Sequence, residues 1–238
     1  MISLNEPYTI SFRITWQNIV SDLRRYRVTD KRSYPALLIM CPGLIAGIYY
    51  RVGHWLWYPG EVNPKLLYIL RPFYMIGRRF IEIYSGVWLS PQARIGRGLY
   101  IGHFGSIFVD ASIIGENCNL SQEVTLGFAG RGDRGGLPTL GDRVFLGAGA
   151  KVIGQITLGN DVAVGANAVV TQNLPDRAVA VGSPAKVISL KGSFDFVLYQ
   201  DMENDPARLK SLEELTQESS SKKVYDSELV KGYLGNDA

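Results

Sequence analysis

From about Gly86 onward an aliphatic residue returns every six positions. The rows read LSPQAR from Leu89, IGRGLY from Ile95, IGHFGS from Ile101 and IFVDAS from Ile107. After one extra residue at Ile113 they continue with IGENCN from Ile114, LSQEVT from Leu120 and LGFAGR from Leu126. Following an interruption they resume with LGDRVF from Leu140, LGAGAK, VIGQIT, LGNDVA, VGANAV and finally VTQNLP from Val170. A helix repeats every 3.6 residues and a strand every two, so neither explains a period of six. A short strand followed by a tight turn does. Three such units close one triangular coil, and stacked coils bring equivalent aliphatic positions into interior ladders. Gly, Asn and Asp after the aliphatic residue suit the corners, where the backbone bends sharply. The pattern therefore predicts a mainly β fold, a parallel β-helix of hexapeptide repeats with four to five coils between Leu89 and about Leu174. Cys118 falls at a small interior position, as a buried thiol.

Before this region the pattern is helical. In TWQNIVSDLRRYR, Trp16, Ile19, Val20 and Leu23 recur at helical spacing. GIYYRVGHWLWY and KLLYILRPFYMIGRRFIEIY also read as helices, separated by Pro59 to Pro64, the second kinked at Pro72. The run from Pro35 to Tyr50 is apolar but short, broken by Pro42 and Gly43 and ended by Arg51, which fits a core or interfacial helix better than a membrane span. After about Lys191 the chain turns polar and acidic, with one helix expected around ARLKSLEEL and partial disorder elsewhere. Three regions result: a helical region over 1–85, a β-helix over 86–190 and a polar tail over 191–238.

Charge adds one refinement. The overall balance of +3 does not mark a nucleic-acid binder. Residues 1–85, however, carry eleven basic against five acidic side chains, while the tail is acidic. A basic, aromatic front is compatible with peripheral contact to an anionic membrane, and equally with a solvated helical face. Two cysteines and no metal-ligand spacing point to a reducing, cytoplasmic setting without a metal. The opening residues lack the basic-then-apolar order of a signal peptide.

The chain has two histidines. His54 lies among Trp55, Leu56 and Trp57, where a packed helix histidine is expected. His103 lies in LYIGHFGSIFVD, at the third position of a hexad. Grouping hexads in threes puts His103 at the head of a column continued by Gln122, Ala148 and Ala166. That column has a polar head and a narrow small-residue floor, suited to a long thin ligand. Between Leu126 and Leu140 the step is eight residues longer than the repeat, so GFAGRGDRGGLPT is expected to be an extruded loop close to that column.

The segments YRVGHWLW, ARIGRGLYIGH, QEVTLG, GAGAKVIG and VVTQNLPDRAVAVGSPAKVI carry a resemblance over about residues 45–190. They resemble the hexapeptide acyltransferases, most closely the serine acetyltransferase branch. The resemblance implies a left-handed parallel β-helix, a homotrimer with sites between adjacent prisms (and dimers of trimers as a further option), and acetyl-CoA as donor. It also implies His103 as general base, since an imidazole titrating near neutrality can take the proton of an attacking alcohol. The donor is expected along Ala148 and Ala166 with Lys186 near its phosphates, and a backbone N–H at Gly127 or in the loop as oxyanion donor.

Three positions depart from the branch. Trp88 stands where the resemblance expects an aspartate, Gly102 where it expects an acid before the histidine, and Gly136–Leu137 where it expects Arg-His. These are the groups that would read a zwitterion, so a sugar or polysaccharide-precursor hydroxyl is the first expectation, with Trp88, Gln122 and Leu137 as acceptor contacts. Serine with a rebuilt pocket is the alternative, and a non-catalytic β-helix assembly protein the third reading.

Overall fold

The computed structural model describes residues 8–60, 62–110, 112–130 and 135–217. Four helices precede the prism: α1 (Phe12–Asp30), α2 (Tyr34–Met40), α3 (Pro42–Trp57) and α4 (Pro64–Ser85). Their starts follow local chemistry. Ser11 caps α1 by accepting from Ile14 N–H, Asn63 caps α4 by accepting from Lys65 N–H, and α2, α3 and α4 each carry Pro in the first turn.

Three parallel faces then wind around a common core. The first face stacks β1 (Val87–Leu89), β4 (Ile107–Val109), β7 (Thr125–Gly127), β10 (Lys151–Ile153) and β13 (Val169–Val170). The second stacks β2 (Arg94–Ile95), β5 (Ile113–Ile114), β8 (Thr139–Leu140) and β11 (Thr157–Leu158). The third stacks β3 (Tyr100–Ile101), β6 (Asn119–Leu120), β9 (Phe145–Leu146), β12 (Ala163–Val164) and β14 (Val179–Val181), closed by the antiparallel β15 (Lys186–Ser189). The hexad reading of the fold is therefore correct: Leu120, Leu146 and Val164 form one interior ladder, Ile114, Leu140 and Leu158 another, all buried. Burying each such side chain stabilises the prism by about 1.5–3 kcal/mol.

The register departs from the sequence reading at one place. Leu89 pairs with Val109, not with Ile107, and Val109 pairs with Leu126. The irregularity thus lies between Ile101 and Val109, at the turn holding His103, and is compensated by a shortened step from Val109 to Ile114 instead of one extra residue at Ile113. Ile107 and Val109 are both inward-facing and buried, so alternation alone offered two registers.

The exposed upper edge of the prism is closed by side chains of α1 and α3. Tyr50 Oη donates to Ala93 O at 2.7 Å and accepts from Ile95 N–H. Arg51 donates to Ile95 O and Gly96 O and forms a buried ion pair with Asp22 at 2.9 Å. Asp22 also accepts from Leu99 N–H. Arg25 donates to Gly98 O, and Tyr26 Oη both accepts from Ile101 N–H and donates to Ile101 O. Unpaired edge groups are thereby satisfied and protected from pairing with another chain. Gly43 permits this docking: a Cβ there would lie 2.7 Å from Ile101 Cγ2.

Residues 191–200 are ordered rather than disordered as the tail's composition suggested. They run back along the corner between the second and third faces. Ser193 Oγ donates to Arg143 O, Asn119 Nδ2 donates to Phe196 O at 2.9 Å, and Phe196 stacks on Phe145. Beneath this strap Arg143 and Asp161 form a buried ion pair. Helices, prism and strap form one compact unit through Gln200; from Asp201 a separate unit carries the expected helix, over 206–217.

Candidate active site

His103 follows β3 at the corner between the third and first faces. Left-handed backbone conformations mark this corner at successive levels, at Ser106, Glu123, Gly149 and Asn167. Backbone hydrogen bonds fix the stacking: Glu123 N–H donates to Gly105 O, Gly149 N–H to Gln122 O and Asn167 N–H to Ala148 O. Gly105, not His103, therefore stands above Gln122. His103 and Phe104 are the two surplus residues of the top turn, pushed outward and exposed. Among the described residues His103 makes no hydrogen bond or ion pair, so its imidazole is available to a bound molecule.

Below it the corner matches the expected floor. Gln122 and Ala148 are half-buried and Ala166 is exposed. The foot is the hairpin between β14 and β15, where Val169 N–H donates to Gly182 O and Val181 pairs with Lys186, whose side chain is exposed. Gln122, Ala148, Ala166 and Lys186 thus share one corner with the displaced His103.

Gly127, Leu137 and Trp88 do not join them. Gly127 is buried in β7, pairing with Ile153, at the opposite edge of the first face. The loop leaves from that opposite edge. Ala129 and Gly136 close its base with two hydrogen bonds, and a Cβ on Gly136 would lie 2.7 Å from Gln155. Leu137, half-buried, sits at this base. A whole sheet face separates loop and His103 within one chain, so the expectation that the loop leaves beside the column is corrected.

Trp88 lies on the outer surface of β1. Its ring stacks on Phe108 at 4.3 Å with a 5° interplanar angle, and Arg78 lies over it at 5.3 Å. The stacked Phe108 ring and the Arg78 guanidinium give the indole a packing role on this surface. Phe108 and Phe104 retain exposed surface instead.

One acid beside the site escaped sequence reasoning. Asp30, at the end of α1, accepts from Tyr100 Oη at 3.2 Å. Burial raises the Tyr100 phenol, keeping it a donor. The Tyr100 ring covers Gly102, where a Cβ would come within 3.3 Å of Cε1. Tyr100 thus meets the Asp30 carboxylate with its hydroxyl and the residue preceding His103 with its ring edge. The pairing joins positions seventy residues apart, and no local pattern announces it.

His54 belongs to the upper edge and not to a site. Its Nδ1–H donates to Pro91 O at 2.8 Å and Nε2 accepts from Tyr8 Oη at 3.2 Å. Burial pulls its pKa down to about 4, so it is neutral and structural. Burial pushes the Cys118 thiol up to about 12, making it inert. Among the described residues no three His, Cys, Asp or Glu side chains cluster as a metal site.

A parallel hexapeptide prism with an accessible histidine at one corner defines a transferase class, and comparisons with known proteins agree. The bacterial transferase hexapeptide family (six repeats) matches residues 138–172. The chain is 40% identical over 157 residues to a serine acetyltransferase of Helicobacter pylori, covering 64% of this chain and 85% of that one. It is 38% identical over 185 residues to a serine acetyltransferase of Mycobacterium tuberculosis, covering 74% of this chain and 77% of that one. Among solved structures, soybean serine acetyltransferase apoenzyme superposes with a TM-score of 0.63 at 34% identity, over 73% of this chain and 69% of that one. A serine acetyltransferase in complex with CoA gives 0.62 at 29% identity, over 74% and 71%. The chain belongs to the serine acetyltransferase family of hexapeptide-repeat transferases, and it is an acyltransferase.

Proposed function

We propose that this chain transfers the acetyl group of acetyl-CoA to the hydroxyl of serine, with His103 as general base. The observation that carries the acceptor is the likeness to serine acetyltransferases, at 40% identity over 85% of one relative and 38% over 77% of another. Gly102 brings no acid of its own, so the ammonium partner must come from elsewhere, and we assign that role to Asp30, held by the Tyr100 hydroxyl. A partner for the carboxylate is sought in the loop, whose sequence contains Arg131 and Arg134, both outside the described residues. This replaces the sugar acceptor as the leading reading, because the relatives are serine acetyltransferases and Trp88, the ring expected to receive a sugar, is stacked on Phe108.

The chemistry is a balanced acyl transfer. His103 takes the hydroxyl proton as the oxygen attacks the thioester carbonyl, and the C–S bond breaks as the ester C–O bond forms. The imidazolium then returns the proton to the departing thiolate, giving CoA and O-acetylated product. The thioester's pantetheine arm fits along Gln122, Ala148 and Ala166, with Lys186 at the phosphate end. Because His103 and the loop occupy opposite edges of one face, we infer that a site using both is completed between neighbouring prisms of a homotrimer.

A neutral sugar hydroxyl remains the second reading. The exposed rings of Phe104 and Phe108 and the uncharged Gly136–Leu137 pair favour it. Release of CoA thiol, measured with serine and with a panel of free and nucleotide-linked sugars, separates the two. For serine, Asp30→Asn should raise KM about tenfold with a smaller change in kcat, the size expected for losing one charge-assisted hydrogen bond of about 1.5 kcal/mol. Turnover with sugars but not serine, unaffected by Asp30→Asn, transfers the assignment to the second reading.

A further inference from the structure

The front segment leaves one large apolar surface uncovered. Helix α4 packs on the molecule through Leu67, Tyr74 and Ile81, while Leu66, Ile69, Phe73, Ile76, Phe80 and Ile83 point outward. These six are between 48% and 76% exposed. Their spacing alternates three and four residues, so they form a single stripe roughly 26 Å long at 1.5 Å per residue. Soluble surfaces scatter large apolar side chains; a continuous stripe on one helix marks an interaction surface.

We propose that the outer stripe of α4 binds an anionic lipid surface, lying in the interface parallel to the bilayer. Charge selects this occupant. The helix carries Lys65, Arg71, Arg78 and Arg79 against a single acid, Glu82, and Glu82 already pairs with Arg78 and Arg79. Lys65 and Arg79 border the stripe, where long cationic side chains reach headgroup phosphates while aromatic and aliphatic neighbours enter the acyl boundary. A second α4 is a poorer fit. Two such helices would set cations beside the seam with no acid free to meet them. No single described helix is long and apolar enough to cross a membrane, which suits a helix lying on a bilayer.

Flotation of the full chain with phosphatidylcholine vesicles, with and without added phosphatidylglycerol, tests the surface. The chain should float with the mixed vesicles and much less with phosphatidylcholine alone. Ile76→Asp combined with Phe80→Asp should abolish flotation, and Lys65→Gln combined with Arg79→Gln should weaken it at least tenfold, given about 1 kcal/mol per basic residue at an anionic surface. Both variants should keep the wild-type melting temperature and rate of CoA release. Failure of the wild type to float overturns the proposal; a simultaneous loss of assembly mass by light scattering in the aspartate variant would assign the stripe to a second copy. Equal flotation with neutral vesicles, or flotation that survives the aspartate pair, also overturns it. Should the aspartate variant melt early, the glutamine pair still decides. None of these outcomes depends on which acceptor is acetylated.

Discussion

The two histidines sit in opposite surroundings. His54 lies on the capped upper edge, bonded through both ring nitrogens and buried among aromatic rings. His103 lies in an outward turn, exposed and without an intramolecular partner among the described residues. Burial and full hydrogen bonding turn the first imidazole into a neutral structural strut. Exposure at the head of a small-residue corner leaves the second imidazole accessible from outside. The neighbouring edges of the prism repeat the contrast: one corner is sealed by the 191–200 strap over the Arg143–Asp161 pair, the other is left open above Ala148 and Ala166.

The largest effect should come from breaking the capped edge. Asp22→Ala leaves Arg51 buried without its carboxylate and removes the acceptor for Leu99 N–H. Loss of one partner from such a pair costs about 3–5 kcal/mol. Thermal and denaturant unfolding should both show it, and a shift under about 1 kcal/mol would mean that the edge is not held by this pair.

Acid sensitivity should separate the histidines next. The folded pKa of His54, about 4, lies below the ordinary value of 6.5. Its contribution to stability is therefore complete above the ordinary value and is lost as pH falls toward 4, because the unfolded chain binds the proton first. Unfolding curves between these limits should show stability declining with acid, and His54→Gln should flatten the decline. An unchanged slope in the variant would show that other groups carry it.

At the open corner the expected effect is smaller and confined to binding. Ala166→Leu fills the floor with an exposed side chain and should weaken CoA binding about tenfold or more while leaving the melting temperature within about 1 °C. Equal CoA affinity in calorimetry would move the donor away from this corner.

The prism was readable because its interior ladders impose a period that neither helix nor isolated strand can produce. The column of Gln122, Ala148 and Ala166 was readable for the same reason, as was the packed character of His54. The two-residue bulge at His103 was not, since Ile107 and Val109 satisfy inward positions equally well. Nor was the Tyr100–Asp30 pair, which exists only because α1 docks on β3 through Tyr26 and Arg25. The strap over 191–200 escaped because its anchors, Ser193 and Phe196, are isolated in a polar sequence. The loop was recognised from its length, but it follows the first-face strand β7 and so lies across a full face from His103, as its place after the first hexad of a coil already implied.

The most direct measurement is the rate of CoA thiol release from acetyl-CoA with serine, compared between wild type and His103→Ala. The account predicts a fall of at least ~10²-fold in turnover, the low end for loss of a general base, with CoA affinity and melting temperature unchanged. A His103→Ala variant that turns over serine within a few-fold of wild type would contradict it.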